Sequence, residues 1–159
     1  MSRRSDIFIG LMSGTSLDGA DAVACQFKAD RVQFLGHEHL SYNLSLRKAL
    51  LSLLTSGPDE INRCGQTAIQ LAHFYAQVVK RLLAKLNLTP QDIAAIGVHG
   101  QTIRHCPQLG FTVQLNNPAL LAELTNIDVI ADFRSRDMAA GGEGAPLVPA
   151  FHACIFSGD

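Results

Sequence analysis

Apolar residues first run together at Ile7 to Leu11 (IFIGL), which predicts a buried strand. After a turn rich in Gly, Ser and Thr, the stretch 20–27 (ADAVACQF) predicts a second. Asp30 and Arg31 mark a turn into VQFLGHEHLSY, whose period-two character predicts a third strand and hence an opening β-meander. The pattern then takes on a helical period. Ser45 is a candidate cap for a short helix over LRKALLSLL. Ser56-Gly57-Pro58-Asp59-Glu60 offers a cap, a proline for the first helical position and first-turn acids for a long one. The long helix presents Leu71, Tyr75, Val78, Leu82 and Leu86 on one face, carries Lys80, Arg81 and Lys85 near its C-terminal dipole end, and is followed by Pro90. Beyond it, IAAIGVHG reads as a buried parallel strand, FTVQLN as a further strand, ALLAELT as a helix opened by Asn117-Pro118, and IDVIA as another strand. DFRSRD and the glycine-rich AAGGEGAPL read as loop, with a helical stretch near 147–156.

Strands interleaved with crossover helices predict an α/β layer architecture, in which ligands gather at the C-terminal ends of the strands. Three polar clusters fall at such ends: GTSLDGAD, HGQT, and DFRSRD followed by GGEGAP. The chain shows no repeat, low-complexity stretch or interdomain linker.

Composition narrows the function classes. The 159 residues, 47% hydrophobic and 17% charged, fit one globular domain able to bury roughly 70% of its unfolded surface without disulfides or a structural metal. Thirteen Lys plus Arg against fourteen Asp plus Glu leave a formal charge of -1, which provides no basic face for nucleic acid. The apolar run near the N-terminus is too short for a signal peptide, and no window reaches the roughly 18 apolar residues of a membrane span. Cys25, Cys64, Cys106 and Cys154 form no C-x-x-C pair and suit a reducing compartment. The expectation is a soluble, cytoplasmic protein.

The first cluster has Gly10, Gly14 and Gly19, through which backbone amides can approach an anion, with hydroxyls at Ser13, Thr15 and Ser16 as further donors. It is not a Walker A loop, because Ala20-Asp21 stands where Lys and Ser or Thr are required. An ordinary hairpin loop and a phosphate cradle both fit the spacing. Asp18 and Asp21 fit either water-mediated Mg²⁺ binding or turn stabilisation. In HGQT an imidazole, an amide and a hydroxyl lie within four residues, suited to sugar hydroxyls or to internal hydrogen bonds. His37 and His39 share a strand face without a third metal ligand nearby in sequence. Arg134 or Arg136 suits a substrate carboxylate, Asp132 or Asp137 a general base, and plain ion pairing within a loop explains all four equally. Cys106 beside His105 has poor geometry for a nucleophile and base.

GLMSGTSLDGADAVA, GVHGQTIRH, QLNNPALLAELTNIDVIADFRSRD and AAGGEGAPLVPAFH together closely resemble the anhydro-N-acetylmuramic acid kinase family of bacterial cell-wall recycling, over essentially the whole chain. That family is similar to the actin, sugar-kinase and heat-shock ATPases, whose two ribonuclease-H-like lobes clasp ATP. The resemblance implies that residues 1–159 are a first lobe, a mixed sheet flanked by helices, with the second lobe absent from this chain. It implies that Gly14, Thr15, Ser16, Leu17, Asp18, Gly19, Ala20 and Asp21 bind the phosphates of ATP with Mg²⁺. It also implies that His99, Gln101, Thr102, Asn116, Asn117 and Arg134 face the amino sugar, 1,6-anhydro-N-acetylmuramic acid. The family reaction opens the anhydro ring with water while moving the γ-phosphoryl group to O6, giving N-acetylmuramic acid 6-phosphate. Its catalytic aspartate lies in a motif resembling GFDTGPGN, which does not occur before Asp159. No catalytic residue is therefore assigned, little kinase activity is expected of these residues alone, and a homodimer is expected at full length. Two other classes compete: a binding module that holds nucleotide or amino sugar without turnover, and a thiol or metal hydrolase built on Cys106, His105 and His152.

Overall fold

The computed structural model describes residues 5–28 and 31–156. The turn expected at Asp30 lies outside them, as does the side chain of Cys154. Strands β1 (Ile7–Met12), β2 (Gly19–Lys28) and β3 (Arg31–Ser41) pair antiparallel in succession, forming the expected meander. Helices α1 (Leu44–Leu51) and α2 (Glu60–Leu86) lead to β4 (Ala95–Val98), which lies parallel to β1. A separate hairpin of β5 (Gln101–Cys106) and β6 (Phe111–Leu115) precedes α3 (Pro118–Thr125) and the two-residue β7 (Val129–Ile130), which is parallel to β4. Two helices follow, α4 (Phe133–Ala139) and α5 (Pro149–Phe156). The main sheet thus has the order β3-β2-β1-β4-β7, the α/β arrangement of a mixed sheet flanked by helices consistent with an actin-like ATPase lobe.

Strand alternation divides the sheet into two unlike faces. Ile9 and Leu11 pair with Ala24 and Ala22 on one side and Ile96 and Val98 on the other, so these buried side chains share a face. Helix α2 covers it with Leu71, Tyr75, Val78, Val79 and Leu82, all fully buried. Small residues on β2 and β3 let this helix approach: a Cβ at Gly36 would stand 2.7 Å from the Leu86 side chain. The other face carries Phe8, Gly10, Val23, Cys25, Phe27, Gly97 and Ile130 around an open apolar cavity of about 320 Å³. Phe133 of α4 leans over Gly97 at that rim.

Several boundaries differ from the sequence reading. Asn43, whose side chain accepts from the Leu46 amide at 2.8 Å, caps α1 in place of Ser45. Helix α2 begins at Glu60, after Asp59 in a left-handed conformation, so Pro58 precedes the helix. Residues from Gln101 onward form β5, which periodicity missed because the strand follows β4 after only two residues. DFRSRD is mostly helix α4, because its polar outward face left no apolar stripe to read. Among the described residues, no helix is long and apolar enough to cross a membrane. Cys25, Cys64 and Cys106 are free thiols.

Leu82, near the C-terminal end of the buried stretch of α2, is fully buried in the core. Leu82→Ala is expected to lower the unfolding free energy by about 2–5 kcal/mol through lost burial and an unfilled cavity. Urea unfolding checks this, and a loss under about 1 kcal/mol would place the core elsewhere.

Candidate functional site

Parallel strands end on the same edge of a sheet, so the segments after β1, β4 and β7 meet there by topology. The His99 amide donates to the Leu11 carbonyl at 3.3 Å, joining the first two of these ends. The bend after β1 is a tight turn at residues 14–17, closed by the Leu17 amide on the Gly14 carbonyl at 3.3 Å. Leu17 has φ 55° and buries its side chain in the core, while Arg47 Nε donates to its carbonyl at 3.0 Å. Thr15, Ser16 and Asp18 stand exposed, and the Thr15 and Ser16 amides have no hydrogen-bond partner among the described residues. Ser16 Oγ donates to Asp18 Oδ1 at 2.6 Å. This bond chiefly holds the Asp18 carboxyl below its ordinary range, helped by the backbone N–H groups of Asp18 and Gly19 and by the charge of His39. Asp18 is therefore ionised at neutral pH. Gly19 is required by packing, because a Cβ there would stand 2.2 Å from the Leu40 carbonyl oxygen.

The eight residues 14–21 thus divide by role. Thr15, Ser16 and Asp18 face solvent with free donors or charge, and Gly14 is half-buried with its carbonyl taken by Leu17 and Gln101. Leu17, Gly19 and Ala20 are packed; the Leu17 main chain is engaged by Gly14 and Arg47, and Gly19 and Ala20 pair with β3. Asp21 opens on the other sheet face, where its Oδ1 meets His37 Nε2 at 2.7 Å and His39 Nδ1 at 3.1 Å. Among the described residues, no group of three or more His, Cys, Asp or Glu is placed to hold a metal ion. One exposed, ionised carboxylate beside hydroxyls nevertheless suits a hydrated Mg²⁺ carried on phosphate oxygens.

Behind the bend lies a buried polar layer that the sequence did not reveal. Ser13 and Tyr75 share a hydroxyl contact of 2.6 Å, and Ser13 Oγ donates to the Gly100 carbonyl at 3.3 Å. Gln101, fully buried, donates from Nε2 to the Gly14 carbonyl at 3.0 Å and accepts from the Tyr42 hydroxyl at 3.2 Å. Burial pushes the Tyr42 and Tyr75 phenols upward, so both remain protonated. Gln101 therefore supports the bend from within the protein instead of opening to solvent. A tyrosine on the apolar face of α2, where leucine would pack, was the available sequence signal for this layer.

The remaining candidates are gathered at the same end. His99 Nδ1 lies 2.7 Å from the Gly100 carbonyl, and its Nε2 is met by Arg134 Nε from α4. Arg134 Nη1 also reaches the Gly144 carbonyl, and Asp137 Oδ2 accepts the Gly144 amide at 2.8 Å. Asp137, a candidate base by position, is thus occupied in fastening the glycine loop. Asp132 is exposed at the head of α4. Thr102 Oγ1 accepts from Gln114 at 3.3 Å. Asn116 lies against Gly100 and takes the Asn117 amide, while Asn117 caps α3 through the Leu120 amide at 3.1 Å. His105 is bonded to Thr112 at 3.2 Å, and His152 lies against Phe156 on α5.

Burial holds the His99 imidazole below the ordinary histidine range. The Gly100 carbonyl opposes that shift, and the Arg134 charge adds to it. The folded protein therefore binds this proton less readily than the unfolded chain. The resulting stability is complete above the unfolded value near 6.5 and is lost as pH falls through the lowered folded value. The stability of the wild type relative to His99→Gln is expected to decline as pH drops below about 6.5. Urea unfolding of both proteins across pH 7.5 to 5 checks it, and a difference independent of pH would contradict it.

The family model for anhydro-N-acetylmuramic acid kinase matches residues 6–159. An anhydro-N-acetylmuramic acid kinase of Bordetella pertussis is 55% identical over 152 residues, which are 96% of this chain and 40% of that protein. That of Bordetella petrii is 57% identical over 152 residues, 95% of this chain and 40% of the relative. That of Burkholderia pseudomallei strain 1710b is 56% identical over 151 residues, 94% of this chain and 39% of the relative. The chain thus spans about 40% of the length of these curated relatives. With the family model matched over nearly every residue, the chain belongs to the anhydro-N-acetylmuramic acid kinase family.

Proposed function

We propose that this chain forms the nucleotide- and sugar-facing wall of an enzyme that phosphorylates 1,6-anhydro-N-acetylmuramic acid at the expense of ATP, opening the anhydro ring, in peptidoglycan recycling. The observation that carries the reading is the bond from Gln101 to the Gly14 carbonyl, which, beside the Ser13–Gly100 bond, ties the anion-facing bend to the polar cluster after β4. Both halves of the reaction then have a surface within one strand-end region.

The Thr15 and Ser16 amides, with the hydroxyls beside them, are suited to phosphate oxygens, because unpaired N–H groups on a tight bend need no reorganisation to receive an anion. Asp18 faces the same solvent and is suited to water bound to Mg²⁺. That ion would neutralise charge on the transferring phosphoryl group. Arg134 keeps Nη2 free of hydrogen bonds among the described residues, leaving a donor for the acid group of a muramic acid. Thr102 and the amide groups of Asn116 and Asn117 complete a polar rim for sugar hydroxyls. Gln101 and His99 serve this site from behind. Free thiols at Cys25, Cys64 and Cys106 favour a cytoplasmic setting.

In a full-length enzyme, Asp18→Ala is expected to reduce kcat/KM for MgATP at least about tenfold while leaving the sugar KM within about twofold. Coupled ADP release with 1,6-anhydro-N-acetylmuramic acid checks it. Unchanged nucleotide use would remove the loop from the phosphate site.

A further inference from the structure

We infer that His99 is a positioning residue: as a neutral ring with its proton on Nδ1, it orients the Arg134 guanidinium, which in turn fastens the glycine-rich loop at Gly144. The assignment follows from what each partner can do. A guanidinium only donates, so the nitrogen it meets, Nε2, must offer its lone pair. A carbonyl only accepts, so Nδ1, 2.7 Å from the Gly100 oxygen, must carry the proton. Both ring nitrogens are thereby occupied. A second proton would set N–H against N–H at Arg134, so the relay needs the neutral ring.

The far end of the relay is equally determined. Gly144 is buried at φ 74°, and α4 holds both its polar groups: Arg134 Nη1 takes the carbonyl and Asp137 Oδ2 takes the amide. A Cβ at Gly144 would stand 3.1 Å from Met138 Cγ, and one at Gly142 would collide with the Asp137 carboxylate. The loop is therefore seated on α4, and α4 meets the end of β4 through the His99 imidazole as well as through Phe133 against Gly97. With Nε and Nη1 engaged, the guanidinium plane is fixed and Nη2 is the edge left to a ligand. This deepens the proposed sugar site and rests on that reading only for what Nη2 meets.

The test reads the relay on this chain without ligand. Long-range ¹H–¹⁵N spectra of the wild type at pH 7.5 should show His99 protonated at Nδ1 and bare at Nε2, and the opposite tautomer overturns the inference. His99→Leu should speed exchange of the Gly144 amide at least about tenfold, because the loop then opens locally. In His99→Gln the Oε1 can stand in for Nε2 as acceptor, so exchange should stay within about twofold of wild type. Wild-type exchange in His99→Leu, or no rescue by glutamine, would also overturn it. If neither variant folds, the wild-type tautomer decides. Failure to bind sugar would leave these readouts intact and would count only against the proposed function.

Discussion

The buried amide of Gln101 is the constraint on which the strand-end site depends. A side-chain amide wholly removed from water is costly unless its groups are paired, and here the Gly14 carbonyl and the Tyr42 hydroxyl pair them. That requirement fixes the bend after β1 relative to the start of β5, two segments that share no strand pairing. Ser13 and Tyr75 repeat the device one residue earlier, linking the same bend to Gly100 and to helix α2. The exposed Thr15 and Ser16 amides are consequently held by atoms that never meet solvent. Such preorganisation lets a small loop present donors without spending binding energy on ordering itself.

Topology supplies the rest. Parallel β1, β4 and β7 send their following segments to one edge, and each segment there is fastened by a different chemistry. The first bend hangs on buried hydroxyls and an amide, the second on the His99 main chain, and the third on the Arg134 guanidinium. Helix α2 leaves the other sheet face bare, with Phe8, Phe27 and Ile130 exposed around two glycines. Parallel strands are normally covered on both faces, and the family relatives are roughly two and a half times as long as this chain.

Much of this was legible in the residues. The three-strand meander, the apolar stripe from Leu71 to Leu86 on α2 and the convergence of polar clusters at strand ends all follow from period and topology. Fine placement was less readable. Asn43 displaced Ser45 as cap because capping depends on which backbone turn forms, and several polar residues nearby were eligible. HGQT fitted either sugar hydroxyls or internal hydrogen bonds; β5 begins at its third residue and takes Gln101 inside while Thr102 is half-buried. Alternation along a strand that pairs only with β6 cannot be seen before the hairpin is known. Within 14–21, the division between Leu17 and Ala20 in the core and Thr15, Ser16 and Asp18 outside rests on a left-handed turn at Leu17, a conformation that leucine gives no reason to expect.

The proposed function requires the bend from Gly14 to Asp18 to receive phosphate. Titrating MgATP into the ¹⁵N-labelled chain while following every backbone amide tests it most directly. The largest shifts should fall on Thr15, Ser16 and their neighbours in this bend, with inorganic triphosphate reproducing them. Shifts confined to the opposite sheet face around Val23 and Ile130, with the bend unmoved, would contradict it.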